Sequence, residues 1–282
     1  MTHSAIKTLF ATSTITALLL SQAAIAADSG DTLSLGLEGF YDRYHETVSG
    51  SPFVKIDSDY GSLTTGYTHN FNPLFIALDV RASYGEGQYG SASGTASNVP
   101  QWEYELRLRG GTNIAWGTGT FSPYIGLGGR YYIDDGKGYT TNTAEHFYDR
   151  RIAQLYVPIG ATYTRNLTQD LYIAPNAEFD PLIVGSVNSR LQNINSYYTP
   201  NPIFPNLYNV QRSGYGLRGE VMLGEKTTSN SNRLGWEAGP FVRYWNIKDS
   251  DLSHWATQNA SGAGEEPSNT RLQLGAALRV MW

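Results

Sequence analysis

Between residues 102 and 116 the side chains change character with a period of two. Trp102, Tyr104, Leu106, Leu108, Ile114 and Trp116 share one parity, and Glu103, Glu105, Arg107, Arg109 and Asn113 share the other. Successive side chains of a β-strand point to opposite faces, so this stretch predicts a strand with one apolar and one charged face. Aromatic residues stand at both ends of the apolar face. That arrangement suits a strand whose apolar side meets lipid, with aromatics at the two interfaces, and whose charged side meets a lumen. Trp282 ends a second segment of the same kind.

Ten segments carry this alternation, over about 33–46, 56–70, 74–86, 101–116, 120–134, 152–166, 170–184, 213–225, 233–247 and 270–282. Each reaches the ~9–11 residues that a tilted strand needs to cross a bilayer. Their connections alternate in length. Asn70–Pro73, Gly117–Gly119, Leu167–Gln169 and Thr227–Asn232 are short and rich in turn formers, while 47–55, 87–100, 135–151, 185–212 and 248–269 are longer. Short turns on one side and long loops on the other belong to the periplasmic and extracellular ends of a bacterial barrel. The expected fold is all-β: a transmembrane antiparallel β-barrel of about ten strands, with eight to twelve compatible with the boundaries.

Composition narrows the alternatives. The first 26 residues, with Lys7, the run through Leu18-Leu19-Leu20 and a small-x-small ending Ala24-Ile25-Ala26, predict a cleaved secretory signal, leaving 27–282 as one barrel domain. There is no cysteine, so a disulfide framework and a thiolate metal site are excluded. The formal net charge of −5 gives no basic footprint for nucleic acid. The mildly hydrophilic mean hydropathy fits a barrel, in which only alternate strand residues face lipid.

The outward parity continues as Leu33, Leu35 and Leu37; Leu74, Ile76, Leu78, Val80 and Ala82; Ile125 and Leu127; Val157, Ile159 and Ala161; Leu217, Val221 and Leu223; and Leu272, Leu274, Leu278, Val280 and Trp282. With Ala24-Ile25-Ala26 and the ending Gln273-x-Gly275-x-x-Leu278-x-Val280-x-Trp282, the chain resembles the bacterial outer-membrane β-barrel proteins, among them opacity-type and porin-family surface proteins. The resemblance implies residence in the cell outer membrane amid lipid and lipopolysaccharide, as a monomer. It also implies that Gln273, Gly275, Leu278, Val280 and Trp282 form the C-terminal signal read by the barrel-assembly machinery. That signal usually ends in Phe, so Trp282 is a departure.

The inward parity collects Glu38, Asp42, Asp79, Glu103, Glu105, Asp134, Glu178, Asp180, Glu220 and Glu237 with Arg81, Arg107, Arg109, Arg130, Arg218, Arg243, Arg271 and Arg279. Arginine offers a planar fork that matches carboxylates. A face balanced in sign predicts a salt-bridge network filling a narrow lumen, because a selectivity filter would carry an excess of one charge. Removal of Arg107 and Arg109 is expected to strand Glu103 and Glu105. Gly36, Gly66, Gly126, Gly128, Gly160, Gly216, Gly239 and Gly275 share this face and are expected to make room for the arginines.

The expected function is a surface protein with a closed lumen, acting structurally or through a ligand bound by its extracellular loops. The alternative is a small porin. A third reading draws on the omptin surface proteases, barrels with Asp and His on facing loops; here His146, Asp149, Glu145, Asp134-Asp135, His254, Asp249 and Asp251 are the residues available. Their recognisable acidic motif is missing, and no hydrolase elbow, HExxH or phosphate loop occurs. Enzyme activity, cofactor and metal are therefore not expected; Asp57-Ser58-Asp59 lacks the spacing of an EF-hand. The loop run Tyr197–Pro205 offers either a binding surface or an inward cap.

Overall fold

The computed structural model describes residues 30–198, 204–226, 234–256 and 261–282. The signal expected over 1–26, the turn at 227–232 and residues 199–203 of the long loop lie outside the described residues.

Ten strands form the wall. They are β1 (Asp31–Val48), β2 (Ser51–Phe71), β3 (Leu74–Ser91), β4 (Gly94–Thr112 continued by Ile114–Trp116), β5 (Gly119–Asp134), β6 (Arg150–Tyr156 continued by Ile159–Asn166), β7 (Leu171–Ser189), β8 (Leu207–Gln211 continued by Gly214–Glu225), β9 (Gly235–Ile247) and β10 (Ser268–Met281). Each pairs antiparallel with the next, and β10 returns to β1 with Leu37 opposite Leu278. The closure ends on two reciprocal 3.0 Å backbone bonds between Leu33 and Trp282. Closing the sheet removes both edges, which lipid could not solvate. The break in β6 falls at Pro158, where proline has no N–H to give. The gap is bridged by Gly126 N–H donating to the Pro158 carbonyl at 2.9 Å and Val157 N–H to the Pro181 carbonyl at 3.0 Å.

The two parities separate as a barrel requires. Leu106 and Leu108 are each 53% exposed, and Leu74, Ile76, Leu78, Ile125, Leu127, Ile159, Leu217, Leu274 and Leu278 share that face. An apolar belt round the whole molecule is stable against lipid, not water. Leu33 shares the outward parity but is buried; its ladder partners are Tyr67 and Trp282. Aromatics bound the belt. Trp116 meets Phe121 with ring centroids 5.1 Å apart near the short turns, and Tyr84 meets Trp102 at 4.7 Å near the long loops.

The loop side departs from expectation. Residues 47–55 and 87–100 are strand almost throughout, turning at Ser49-Gly50 and Ala92-Ser93. Ser49 and Gly50 have φ of 50° and 77°, the positive pair that a two-residue primed hairpin turn demands. The ends of 185–212 likewise continue β7 and β8, with Leu207 opposite Ser189. Above the bilayer both strand faces tolerate polar residues, so the ladder continues after the alternation that marks it has stopped.

Candidate functional site

The inner face carries both charge and aromatic bulk. Phe40, Tyr60, Tyr132, Tyr156, Tyr172, Phe241 and Trp245 are all buried inside the barrel. They pack on each other and on the guanidinium groups: Phe40 stacks on Tyr60 with centroids 5.0 Å apart, and Arg243 lies 4.0 Å over the Phe241 ring. Arg271 sits 4.1 Å over Tyr132 and Arg130 4.3 Å over Trp245. The inward charges are thus clamped between rings, a favourable geometry for cations that have left water.

At the lower end, towards the short turns, Arg109 meets Asp79 at 2.8 Å, and Arg279 bridges Glu220 at 2.9 Å and Glu237 at 2.8 Å. In the middle, Arg243 reaches Glu38 at 2.7 Å and Arg81 holds Glu103 at 2.8 Å and Glu105 at 3.0 Å. Arg218 of β8 crosses the lumen to Glu105 of β4 and also holds Asp180 at 2.6 Å and Glu178 at 3.2 Å. Arg107 completes this layer by pairing with Glu178. Higher up, Arg271 binds Asp42 at 2.5 Å and Glu103 at 3.5 Å, with Arg130 3.8 Å from Glu103. The Gln273 amide donates to Asp42 and to Glu103, each at 2.9 Å. Asp134 accepts a 2.7 Å bond from Gln101.

The uppermost layer was not legible in the chain. Arg150 of β6 pairs with Glu46 of β1 at 2.8 Å, directly across the barrel, and with Glu266 from the last loop. Glu266 thereby reaches from the last loop into the mouth.

Two expectations are corrected by this geometry. Arg107 and Arg109 do not serve Glu103 and Glu105; their partners are Glu178 and Asp79. Same-face neighbours on one strand are ~6–7 Å apart, whereas cross-strand and cross-lumen groups come closer. Half of the inward glycines make room for rings. A Cβ at Gly128 would lie 2.2 Å from the Tyr156 ring, one at Gly216 3.0 Å from Trp245, and one at Gly275 2.7 Å from the Phe241 ring; only at Gly36 does an arginine side chain, Arg279, stand that close, at 2.7 Å.

The remaining space is divided. A cavity of about 240 Å³ opens among Thr32, Ser34, Asp79, Arg109, Glu237 and Arg279 and ends against Arg81, Glu105 and Arg218. Another of about 20 Å³ lies above, beside Tyr44, Gln211 and Glu266. No residue lines both. Of the residues lining the larger cavity, Glu38 Oε2, Arg107 Nε, Glu178 Oε1 and Arg243 Nη1 have no hydrogen-bond partner among the described residues.

The loop residues weighed for acid–base chemistry are engaged elsewhere. Asp149 accepts from the Lys137 N–H at 3.1 Å and from Arg190 at 3.4 Å. Burial and the adjacent Asp149 carboxylate push the Asp135 carboxyl above its ordinary value. Asp251 accepts the Val210 N–H at 2.6 Å and Asp249 the Ser268 N–H at 2.5 Å. His146 stacks on Tyr197 at 3.8 Å, and His254 lies in a small hairpin, Ser253–Ala256 with Ser261–Gly264. Asp57 is held by Lys55 at 2.5 Å and Arg43 at 3.1 Å. Among the described residues no group of three His, Cys, Asp or Glu side chains is placed to hold a metal ion.

No protein-family model and no curated protein sequence matches the chain. Solved structures do. The outer membrane protease OmpT from Escherichia coli superposes with a TM-score of 0.56 at 11% identity, over 89% of this chain and 96% of that one. This chain has the fold of a bacterial outer-membrane β-barrel. The outer membrane protein OprG from Pseudomonas aeruginosa gives a TM-score of 0.37 at 9% identity, over 90% and 96% of the two chains. The Pseudomonas putida toluene transporter TodX gives 0.34 at 9%, over 94% and 93%. This chain's continuous apolar belt is what lipid would solvate. At such identities the likeness extends to the fold and stops there.

Proposed function

We propose that residues 27–282 form a single, monomeric barrel whose lumen is closed, and that the protein acts at the cell surface through its extracellular loops. The observation that carries this reading is the set of pairs spanning the barrel. Arg150 to Glu46 joins β6 to β1, Arg218 to Glu105 joins β8 to β4, and Arg271 to Glu103 joins β10 to β4. Around ten strands leave an interior that side chains can fill, well short of the 16–18 of an aqueous porin. Here they fill it with paired charges and rings.

The loops offer the working surface. Their aromatic contacts join neighbouring loops: His146 with Tyr197, Phe204 with Trp255 at 6.5 Å, and Tyr89 with Phe147 at 4.7 Å. Side chains ordered in this way suit recognition of an extracellular ligand or a neighbouring surface. Liposome swelling tests the closed lumen. Vesicles carrying the refolded barrel should admit small sugars no faster than protein-free vesicles, and rapid entry would put a small porin in its place.

The C-terminal strand has a second task in this proposal, as the signal read by the barrel-assembly machinery through Gln273, Gly275, Leu278, Val280 and Trp282. Deleting Trp282 removes both backbone bonds to Leu33 and the last outward aromatic. The expected result is a marked fall in heat-modifiable, membrane-inserted barrel in cells, read by gel shift of the outer-membrane fraction. Wild-type levels from the deletion would contradict it.

A further inference from the structure

The outer wall is unevenly covered. Gly129 of β5 stands in a lipid-facing row between Leu106 and Leu155. One step towards the extracellular end, Ala153 stands between Tyr131 and Ser186. A Cβ placed on Gly129 would meet nothing within 4 Å. The result is a hollow of about 510 Å³ in the apolar belt, walled by Tyr104, Leu106, Tyr131 and Leu155. That volume lies within the ~300–1,000 Å³ range of ligand sites.

An exposed arginine stands at the head of the hollow. Arg151 is exposed, one outward position above Ala153, or about 6–7 Å along the strand. Arg151 and Lys137 both act on the carboxyl of Asp135, and Asp149 is bonded to Arg190. Arg151 thus stands exposed at the level where lipid headgroups begin.

We propose that this hollow binds one acyl chain of a phosphate-bearing outer-leaflet lipid, with Arg151 holding the phosphate. The proposal goes beyond the closed-lumen reading and depends only on the barrel's place in a bilayer. Small residues at the base let the chain lie against the wall, while Tyr104 and Tyr131 hold its sides. Elsewhere on the belt, leucines such as Leu108 and Leu127 project into that space.

The test uses the refolded barrel in phosphatidylcholine nanodiscs containing a minor fraction of phosphatidic acid with a diazirine in its acyl chain. After irradiation, labelled peptides are mapped. Labelling should concentrate on the peptides holding Gly129 and Ala153 and should fall several-fold in Gly129→Leu, which fills the hollow. Arg151→Gln should reduce the preference for phosphatidic acid over an equally photoreactive phosphatidylcholine by about fivefold, the effect of one cation at an anionic lipid surface. Heat-modifiable migration confirms folding of each variant, and Ile125→Leu serves as the belt control. Even labelling round the belt, unchanged labelling in Gly129→Leu, or crosslinks between two copies of the chain would overturn the proposal. Even labelling would leave the barrel in its bilayer and the closed lumen untouched.

Discussion

Arg218→Ala is expected to destabilise the barrel by about 3–5 kcal/mol, the cost of breaking a buried charge network from one side. Arg218 is the hub of the middle layer. Without it Glu105 keeps Arg81 at 3.0 Å and Tyr156 at 2.5 Å, and Glu178 keeps Arg107 and Tyr124. Asp180 fares differently. It is fully buried, its ion pair is with Arg218, and its Oδ1 has no bonding partner. The cost therefore concentrates on one carboxylate. Removing that carboxylate as well, in Arg218→Ala with Asp180→Ala, should recover a good part of the loss. Urea unfolding in detergent micelles, read by tryptophan fluorescence, measures both variants. Equal stability of Arg218→Ala and the parent would show that the network contributes little; no recovery in the double variant would shift the cost from Asp180 to Glu105.

Leu108→Arg should cost about 2–4 kcal/mol, because a cation near the bilayer midplane on the lipid face has no water and no partner. Leu108 is 53% exposed and lies on β4 between the girdle residues Trp102 and Trp116. Asn113→Arg, on the same strand, should be far milder. Asn113 faces inward near the lower rim, where its side chain accepts a 2.8 Å bond from Ser122 and a new cation can reach water. Folding yields into lipid vesicles compare the two. Equal tolerance would mean that the two faces are reversed.

Parity made most of the wall legible, and β4 shows why. Over 101–109 every outward residue is apolar or aromatic and every inward one charged or amidic, because lipid and lumen impose opposite demands on alternate positions. The signal fails where both faces accept the same residue type. Phe40 beside Tyr41, Tyr132 beside Tyr131 and Trp245 beside Tyr244 put aromatics on both parities, so the inner ring of aromatics cancels out of the pattern. Arg150 beside Arg151 hides an across-lumen charge in the same way. Parity also says which face a group is on, not which strand lies opposite. Arg107 and Glu178 meet only because the closed sheet brings β4 and β7 to facing walls. The upper hairpins were hidden for the reason already met: beyond the bilayer no solvent contrast remains to write an alternation.

Single-channel recording in planar bilayers tests the closed lumen most directly. The wild-type barrel should insert without stable, uniform conductance steps, because the pairs at Arg150, Arg218 and Arg271 cross the lumen and no residue lines both cavities. The Arg218→Ala/Asp180→Ala barrel, which removes two side chains from that path, should pass a small current. A large, steady wild-type conductance, unaltered in the double variant, would contradict the account and identify the protein as a pore.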